Sequence, residues 1–344
     1  MKLGTIELST PLGPVRRIGV DHALGVIDAT AVRAALHERR MPAAAAERIA
    51  AAEVPPDMIE LIASGDAVIG WIAEAIEWIA AAGVTHTSRG RQLIYSADDI
   101  RLLAPLPRPA GVANFSVWPA HTATGAAHGF NLSRAPEESG VKPYWKGNPD
   151  SYVGPDSTLE YPPYAQELDV ECELVCVVGV GGKNLDADAA ERAIVGYTIV
   201  NDASVRDIQR EEMKTGRGPS KGKDFDTGNG MGPWLVTRDE IGDPRNLHLS
   251  LHVNGQQVSE SSAQGMVWTF PEMLSYLSMG QTVYPGQIIS AGCYAGGSAM
   301  DLGIHLLPGD QIEFRISRIG SLRCTIGQPP VRPWRSRCAK RLQR

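Results

Sequence analysis

Three acidic residues on two apolar segments are the first features of the sequence that could do chemistry. Glu171 and Glu173 lie in the first half of the segment LDVECELVCVVG, residues 168–179. Alternate residues of a β-strand point to the same face, so these two carboxylates share a face with Val175 and Val177. Like charges that enter a buried face repel each other and resist desolvation, and a divalent cation would remove that cost. The segment therefore indicates either a metal site or a strand whose first residues are exposed to solvent.

The apolar segment VGYTIVNDASVRDIQ, residues 195–209, supplies the third carboxylate. Asp202 lies where the strand pattern ends, and it is either a ligand or an aspartate that caps a following helix. If residues 203–209 open a helix, Arg206 and Gln209 lie on the same side of it as Asp202. Carboxylate ligands suit Mg²⁺, Mn²⁺ or Ca²⁺ better than Zn²⁺.

A glycine-rich segment with two lysines follows, KGKDFDTGNGMGPW at residues 221–234. Segments of this kind often form a pocket for an anion. Because glycine-rich loops are common, the segment alone does not assign a role to Lys221 or Lys223.

The elements that must position these residues divide the chain into two predicted domains. Residues 30–83 contain Ala-rich segments with helical spacing, and AVIGWIAEAIEWIAAAG predicts a packing helix. The proline-rich passage PLPRPAGV predicts a boundary between an N-terminal α/β domain, residues 1–107, and a strand-rich domain, residues 108–328. The basic tail, residues 329–344, is predicted to be disordered.

Composition excludes several classes of protein. The chain has 344 residues, is 43% hydrophobic and carries a formal net charge of −6, which is ordinary for a globular protein and argues against a nucleic-acid partner. No stretch reaches about 18 consecutive apolar residues and the N-terminus lacks a secretory pattern, so we expect no membrane span and a cytoplasmic location. Five cysteines without a C-x-x-C pair indicate reduced thiols, neither a disulfide framework nor a zinc site.

The order of these motifs resembles the fumarylacetoacetate hydrolase family. E-x-E in LDVECELVCVVG precedes NDASVRDIQ and K-x-F-D before GMGPW, and VNG, YPGQIISAG and LLPGDQIEF follow, over about residues 108–326. The resemblance implies an α+β, mainly β fold, with a mixed β-sandwich or roll as the catalytic domain and a smaller helix-containing N-terminal domain. It also implies a homodimer formed through the β-rich body.

The resemblance also assigns roles to residues. The implied metal ligands are Glu171, Glu173 and Asp202, with Mg²⁺ as the expected ion and Mn²⁺ or Ca²⁺ as alternatives. The implied catalytic residues are the general base His121, its carboxylate partner Asp301 and Lys223, which keeps the K-x-F spacing that Lys221 lacks. The implied substrate-binding residues are Arg206, Gln209 and Cys293, and His128 is the alternative base.

The sequence departs from family patterns at three positions. Asn114, seven residues before His121, stands where fumarylacetoacetases have a fourth carboxylate, so an amide or a water would replace that ligand. Thr124 stands where smaller members place a glutamate partner for the histidine, which leaves Asp301 for that role. Cys293 replaces a threonine and is a weaker hydrogen-bond donor.

The implied function is metal-dependent hydrolysis of a carbon–carbon bond in a β-diketone or acylpyruvate-type substrate. His121, oriented by Asp301, would take a proton from water, and the cation would stabilise the enolate that forms. Decarboxylation or tautomerisation of a β-keto acid such as oxaloacetate and hydration of a 2-keto-alkenoate are alternatives on the same site. A non-catalytic metal-binding scaffold is the alternative from another class, and the presence of Lys223 and Asp301 argues against it.

Overall fold

The computed structural model describes residues 1–130 and 141–331. Most of the tail predicted to be disordered, from residue 332 onward, lies outside the described residues, and so does Cys338. Within the described ranges the chain is mixed α/β with more strand than helix, which confirms the predicted fold class. None of the described helices has the length and apolar character that a membrane span requires.

The helices of these ranges are α1 (Ala29–His37), α2 (Ala43–Glu53), α3 (Met58–Ala63), α4 (Asp66–Ala82), α5 (Pro119–Ala127), α6 (Ala187–Ala193), α7 (Arg206–Lys214), α8 (Arg238–Ile241) and α9 (Phe270–Ser278). The strands of the first half are β1 (Lys2–Thr10), β2 (Gly13–His22), β3 (Gly25–Asp28), β4 (Ile94–Tyr95), β5 (Arg101–Leu102), β6 (Gly111–Phe115), β7 (Tyr144–Lys146), β8 (Tyr152–Val153), β9 (Ser157–Leu159) and β10 (Leu168–Asp169). The strands of the second half are β11 (Glu171–Val178), β12 (Gly182–Lys183), β13 (Ile194–Asp202), β14 (Ser204–Val205), β15 (Asn229–Thr237), β16 (His248–Val253), β17 (Gln256–Ser262), β18 (Thr282–Val283), β19 (Gln287–Ser298), β20 (Gln311–Ile316) and β21 (Gly320–Ile326).

The largest sheet has twelve strands, which come from both sides of the predicted domain boundary at residue 107. Its main path runs β4-β3-β2-β1-β15-β13-β11-β19-β6-β7, with β5 paired to β1 and β8 paired to β15. The antiparallel pair of β1 and β15 links the N-terminal strands to the central ones. The division at residue 107 stays a prediction, since residues on both sides of it share one sheet.

Strand β11 is buried on both faces, and the predicted alternation of its side chains is confirmed. Cys172 and Leu174 pack into one apolar cluster with the five-stranded sheet β17-β16-β20-β21-β9. Val175 and Val177 pack into a second cluster with residues of the N-terminal helices. Since all eight residues of β11 are buried, the strand lies between two apolar layers.

Helix α4 is the packing helix that its isoleucine spacing predicts. Ile72, Ile76 and Ile79 recur on one face and are all buried. The helix ends at Gly83, whose φ of 65° is a left-handed conformation that glycine adopts without strain. Its apolar face completes the layer that covers β11 from the N-terminal side.

Candidate active site

The three predicted metal ligands lie at adjacent ends of two paired strands. Glu171 and Glu173 begin β11 and Asp202 ends β13, and the antiparallel register places Cys172 opposite Asn201. One carboxylate oxygen of each acidic residue lies within 4.8 Å of those of the other two. All three are buried, with Glu173 only 1% exposed, so the interpretation of an exposed strand end is wrong.

This cluster fits a divalent cation. Within the described part of the chain, the buried atom Asp202 Oδ1 has no hydrogen-bond partner. Such an atom loses its hydration without compensation unless an ion binds it. Every donor in the cluster is a carboxylate oxygen, the ligand that Mg²⁺, Mn²⁺ and Ca²⁺ prefer. Four buried carboxylates and two buried cations meet here with a formal charge of −2: Asp169, Glu171, Glu173 and Asp202 against Arg206 and Lys223.

Asn114 cross-links two of the ligands. Its Nδ2 donates to both carboxylate oxygens of Glu173, at 3.1 and 2.9 Å, and to Asp202 Oδ2 at 2.9 Å. Ser290 Oγ also donates to Glu173 Oε2, at 2.6 Å. The N–H groups of this amide therefore reduce the repulsion between the two carboxylates. Whether an amide or a water is the fourth metal ligand, the alternatives that the sequence left, stays open.

Lys223 lies inside the cluster. Its Nζ donates to Glu171 Oε2 at 2.5 Å, to Asp202 Oδ2 at 2.8 Å and to the Asp202 carbonyl at 2.9 Å. Lys221 is exposed, and its ammonium lies 5.5 Å from the centre of the Tyr164 ring. The structure thus brings to the site the lysine that the K-x-F spacing selects.

Helix α7 begins at Arg206, so the expectation of a helix opening at residue 203 is wrong, and so is the interpretation of Asp202 as its cap. Ser204 and Val205 form β14 instead, because they pair with β10. Arg206 and Gln209 lie one turn apart and are both buried, and Arg206 Nη1 donates to Gln209 Oε1 at 2.9 Å. Arg206 Nη2 also lies 2.8 Å from Glu171 Oε1, which joins α7 to the cluster.

Asp169 is a residue of the site that the sequence reasoning missed. It accepts hydrogen bonds from Arg206 Nε at 2.7 Å and from the backbone N–H groups of Ala299 at 3.0 Å and Met300 at 3.3 Å. One carboxylate therefore holds both Arg206 and the turn that carries Asp301. The signal was present, since alternation along the strand places Asp169 on the same face as Glu171.

His121, which lines the cavity described below, is hydrogen-bonded to Asp301. His121 lies in the first turn of α5, which starts at Pro119, a residue whose fixed φ suits that position. Its Nδ1 is 2.8 Å from Asp301 Oδ2, which also accepts the Gly296 N–H at 2.9 Å. The Asp301 side chain is therefore long enough to hydrogen-bond the histidine.

Neither His128 nor Thr124, the two other positions considered for this pair, replaces His121 or Asp301 in the site. His128, the alternative base, is exposed at the end of α5. Thr124 Oγ1 donates to the backbone carbonyl of Ala120 in the preceding turn. His121 Nε2, by contrast, lies 3.8 Å from Glu171 Oε1, so the imidazole faces the carboxylate cluster.

Burial and charge perturb the acidic residues in opposite directions. Burial alone would raise the pKa of Glu171, but Lys223 and Arg206 outweigh it and lower that pKa to about 2. Burial, reinforced by Asp202 and Glu171, raises the pKa of Glu173 well above its usual value. Burial also raises the pKa of Asp202, to about 6, against the opposing effect of Lys223. Burial thus makes Glu173 and Asp202 weaker acids than they are in water, and a bound cation would favour the ionised form of both.

A cavity of about 390 Å³ opens over the cluster. Its polar wall contains His121, Arg206, Gln209, Lys223 and the three carboxylates, and its apolar wall includes Phe130, Tyr144 and Trp145. Cys293 also lines it, with a buried thiol that donates to the Tyr294 carbonyl at 3.3 Å. Eight of the nine residues predicted for the site therefore line one cavity, and the ninth, Asp301, contacts it through His121. The roles of all nine stay predictions.

Known proteins share this architecture. The family described as Fumarylacetoacetate (FAA) hydrolase C-terminal matches residues 119–327. Oxaloacetate tautomerase YisK of Bacillus subtilis (strain 168) is 31% identical over 276 residues, which cover 80% of this chain and 87% of that protein. Fumarylacetoacetate hydrolase from Exiguobacterium antarcticum superimposes with a TM-score of 0.66 at 23% identity, over 94% of this chain and 99% of that one. Maleylpyruvate hydrolase from Sphingobium sp. SYK-6, in complex with manganese(II) ion and pyruvate, gives 0.67 at 21% identity, over 96% and 100%.

Proposed function

Since the chain belongs to the fumarylacetoacetate hydrolase family, we propose that it is a metal-dependent enzyme that hydrolyses a carbon–carbon bond in an acylpyruvate-type β-diketone. The observation that carries the proposal is the His121–Asp301 pair at 2.8 Å, which faces the carboxylate cluster. A histidine with a carboxylate partner is the arrangement that activates a water molecule.

Glu171, Glu173 and Asp202 would hold the cation, and we propose Mg²⁺, with Mn²⁺ or Ca²⁺ as alternatives. When bound, the cation supplies electrostatic stabilisation for negative charge that develops on the carbonyl oxygens of the substrate. The unpartnered oxygen Asp202 Oδ1 and the all-carboxylate donor set support this assignment.

The residues of the chain itself would move one proton. His121 Nε2 takes a proton from water, and Asp301 stabilises the imidazolium through the hydrogen bond to Nδ1. The hydroxide adds to the acyl carbonyl carbon, the carbon–carbon bond breaks, and its electron pair becomes the enolate of pyruvate. His121 then returns the proton to that carbon, so the products are pyruvate and a carboxylic acid.

Arg206, Gln209 and Lys223 are proposed to hold the substrate. Gln209 Oε1 accepts from Arg206, which leaves the amide nitrogen of Gln209 to donate to a substrate oxygen. Arg206 and Lys223 are both paired with Glu171, so they add positive charge beside the substrate carboxylate while they keep the ligand ionised. Cys293 closes the same wall as a buried, weakly polar group.

Tautomerisation of oxaloacetate is the second candidate, and the identity of 31% with a Bacillus subtilis oxaloacetate tautomerase favours it. In that reaction His121 would carry a proton between carbon and oxygen, and no water would be activated. The two candidates therefore use the same cluster and differ in whether a carbon–carbon bond breaks.

A product analysis separates the two candidates. The full chain, loaded with Mg²⁺ or Mn²⁺, would be given acylpyruvates and oxaloacetate, and the loss of enol absorbance would be followed together with carboxylic acid release. Hydrolysis predicts one acid and one pyruvate for each enol lost. Loss of the enol signal without acid would favour the tautomerase, and no turnover of either substrate class would refute both candidates. A chelator-treated sample is the control.

The expected cytoplasmic location, the homodimer and the lack of a nucleic-acid partner stay predictions. Light scattering on the eluted peak of a size-exclusion column would test the homodimer. A mass equal to that of one chain would contradict it.

A further inference from the structure

We infer that the cavity contains a second metal site, for a thiophilic ion such as Zn²⁺, formed by His121, Cys293 and Glu171. One donor atom of each side chain lies within 4.8 Å of those of the other two, and all three residues line the cavity. The donors are a nitrogen, a sulfur and a carboxylate oxygen, which is a set that Zn²⁺ binds. The cluster described above offers oxygen alone, so the two sites share Glu171 but differ in chemistry.

His121 is already held in the state that a metal ligand needs. Its Nδ1 donates to Asp301 Oδ2 at 2.8 Å, and the Gly296 N–H fixes the same carboxylate oxygen at 2.9 Å. With the proton on Nδ1, the lone pair is on Nε2, which lies 3.8 Å from Glu171 Oε1. Histidines that bind metals commonly donate their other ring N–H to a carboxylate in this way.

Cys293 provides the ligand that separates this site from the oxygen cluster. The thiol is 3% exposed, on the strand next to β11, and its register partner there is Glu173. When the ion binds, the S–H bond breaks, the proton leaves to solvent and a sulfur–metal bond forms, with no oxidation or reduction. Residues 121, 171 and 293 form no motif in the sequence, which is why cysteine spacing alone indicates no zinc site.

Occupation of this site would inhibit the enzyme. The ion would take the lone pair on His121 Nε2 that otherwise accepts the proton of water. This consequence rests on the proposed function, whereas the metal site itself does not. A hard ion bound by Glu173 and Asp202 would stay in place, since those residues belong to the oxygen cluster alone.

Cobalt is the probe for the sulfur ligand. Co²⁺ would be titrated into the full chain in the presence of saturating Mg²⁺, without substrate, and the near-ultraviolet spectrum recorded. We expect a thiolate-to-cobalt charge-transfer band that saturates at one equivalent, with release of one proton. C293S should lose the band, whereas C324S, which alters a thiol outside the cavity, should keep it. D301N should weaken Co²⁺ binding by about 10- to 100-fold through the histidine it orients.

Four results would overturn the inference. They are no band in the unsubstituted protein, a band that survives in C293S, a band seen only when Mg²⁺ is omitted, and D301N affinity equal to that of the unsubstituted protein. Far-ultraviolet circular dichroism of C293S checks that the variant is folded. The band is recorded without turnover, so an inactive protein that shows it would refute the hydrolase proposal alone. An active protein without the band would refute the second site alone.

Discussion

Replacement of Asp301 by asparagine should slow turnover and leave Mg²⁺ binding intact. Asp301 Oδ2 is 2.8 Å from His121 Nδ1, and the Gly296 N–H holds it in place. Asparagine has the same shape but no negative charge, so the imidazolium that forms during proton transfer loses its stabilising partner. Neither Asp301 nor His121 belongs to the all-carboxylate cluster.

The expected loss follows from the strength of this contact. A hydrogen bond to a charged group contributes about 1.5–3 kcal/mol. Since about 1.4 kcal/mol changes a rate tenfold, D301N should lower kcat by about 10- to 150-fold. H121N removes the base itself and should lower kcat by about 10²- to 10⁴-fold.

The assay is the rate of carboxylic acid formation from an acylpyruvate at saturating Mg²⁺, with Mg²⁺ affinity measured by calorimetry. H128N is the matched control, because His128 is exposed at the end of the same helix and should leave kcat unchanged. If H121N or D301N turned over at the original rate, water activation by this pair would be the wrong mechanism. Loss of Mg²⁺ binding together with activity would also contradict the reasoning, since it would make the pair part of the metal site.

Three further predictions concern the carboxylate cluster. N114D adds a negative charge between Glu173 and Asp202, so it should bind Mg²⁺ more tightly and, without metal, melt at a lower temperature. An unchanged Mg²⁺ affinity by calorimetry and an unchanged Tm would contradict this. K223M should lower the free energy of unfolding by about 3–5 kcal/mol in urea, since it leaves buried carboxylates unpaired, whereas K221M should change it by less than about 0.5 kcal/mol. Burial raises the pKa of Asp202 from 3.8 to about 6 in the folded chain, so the metal-free fold holds a proton that the unfolded chain releases, and its stability falls as pH rises through that window. The difference in Tm between Mg²⁺-loaded and chelator-treated protein should therefore widen from about pH 4 to pH 6, and a constant difference would refute the assignment.

The strand that carries the ligands could be predicted in detail. Alternation in residues 171–178 assigns Glu171 and Glu173 to one face, because side chains of a strand have a fixed period of two. The structure keeps this pattern, with Cys172 and Val175 in different apolar clusters. The family resemblance, which rests on the order of the motifs, was sufficient to predict that Asp202 lies beside Glu171 and Glu173.

Contacts made across long stretches of chain could not be predicted. Asn114 lies 59 residues from Glu173 and reaches it only because β6 pairs with β19, which in turn pairs with β11. Local spacing could place an amide near the metal but could not give the direction of its N–H groups. The start of α7 was missed for a related reason, because Ser204 and Val205 pair with β10 rather than continue into a helix.

The apolar layer beneath the ligand strands has a consequence for deletion experiments. Val175, Val177 and Val200 pack against the N-terminal part of the chain, and β15 pairs with β1. A fragment that began at residue 108 would keep every side chain around the cavity, yet it would turn these valines toward water and leave β15 with a bare edge. Truncation mapping would then score the first third of the protein as indispensable, although none of residues 1–107, all of them described, lines the cavity.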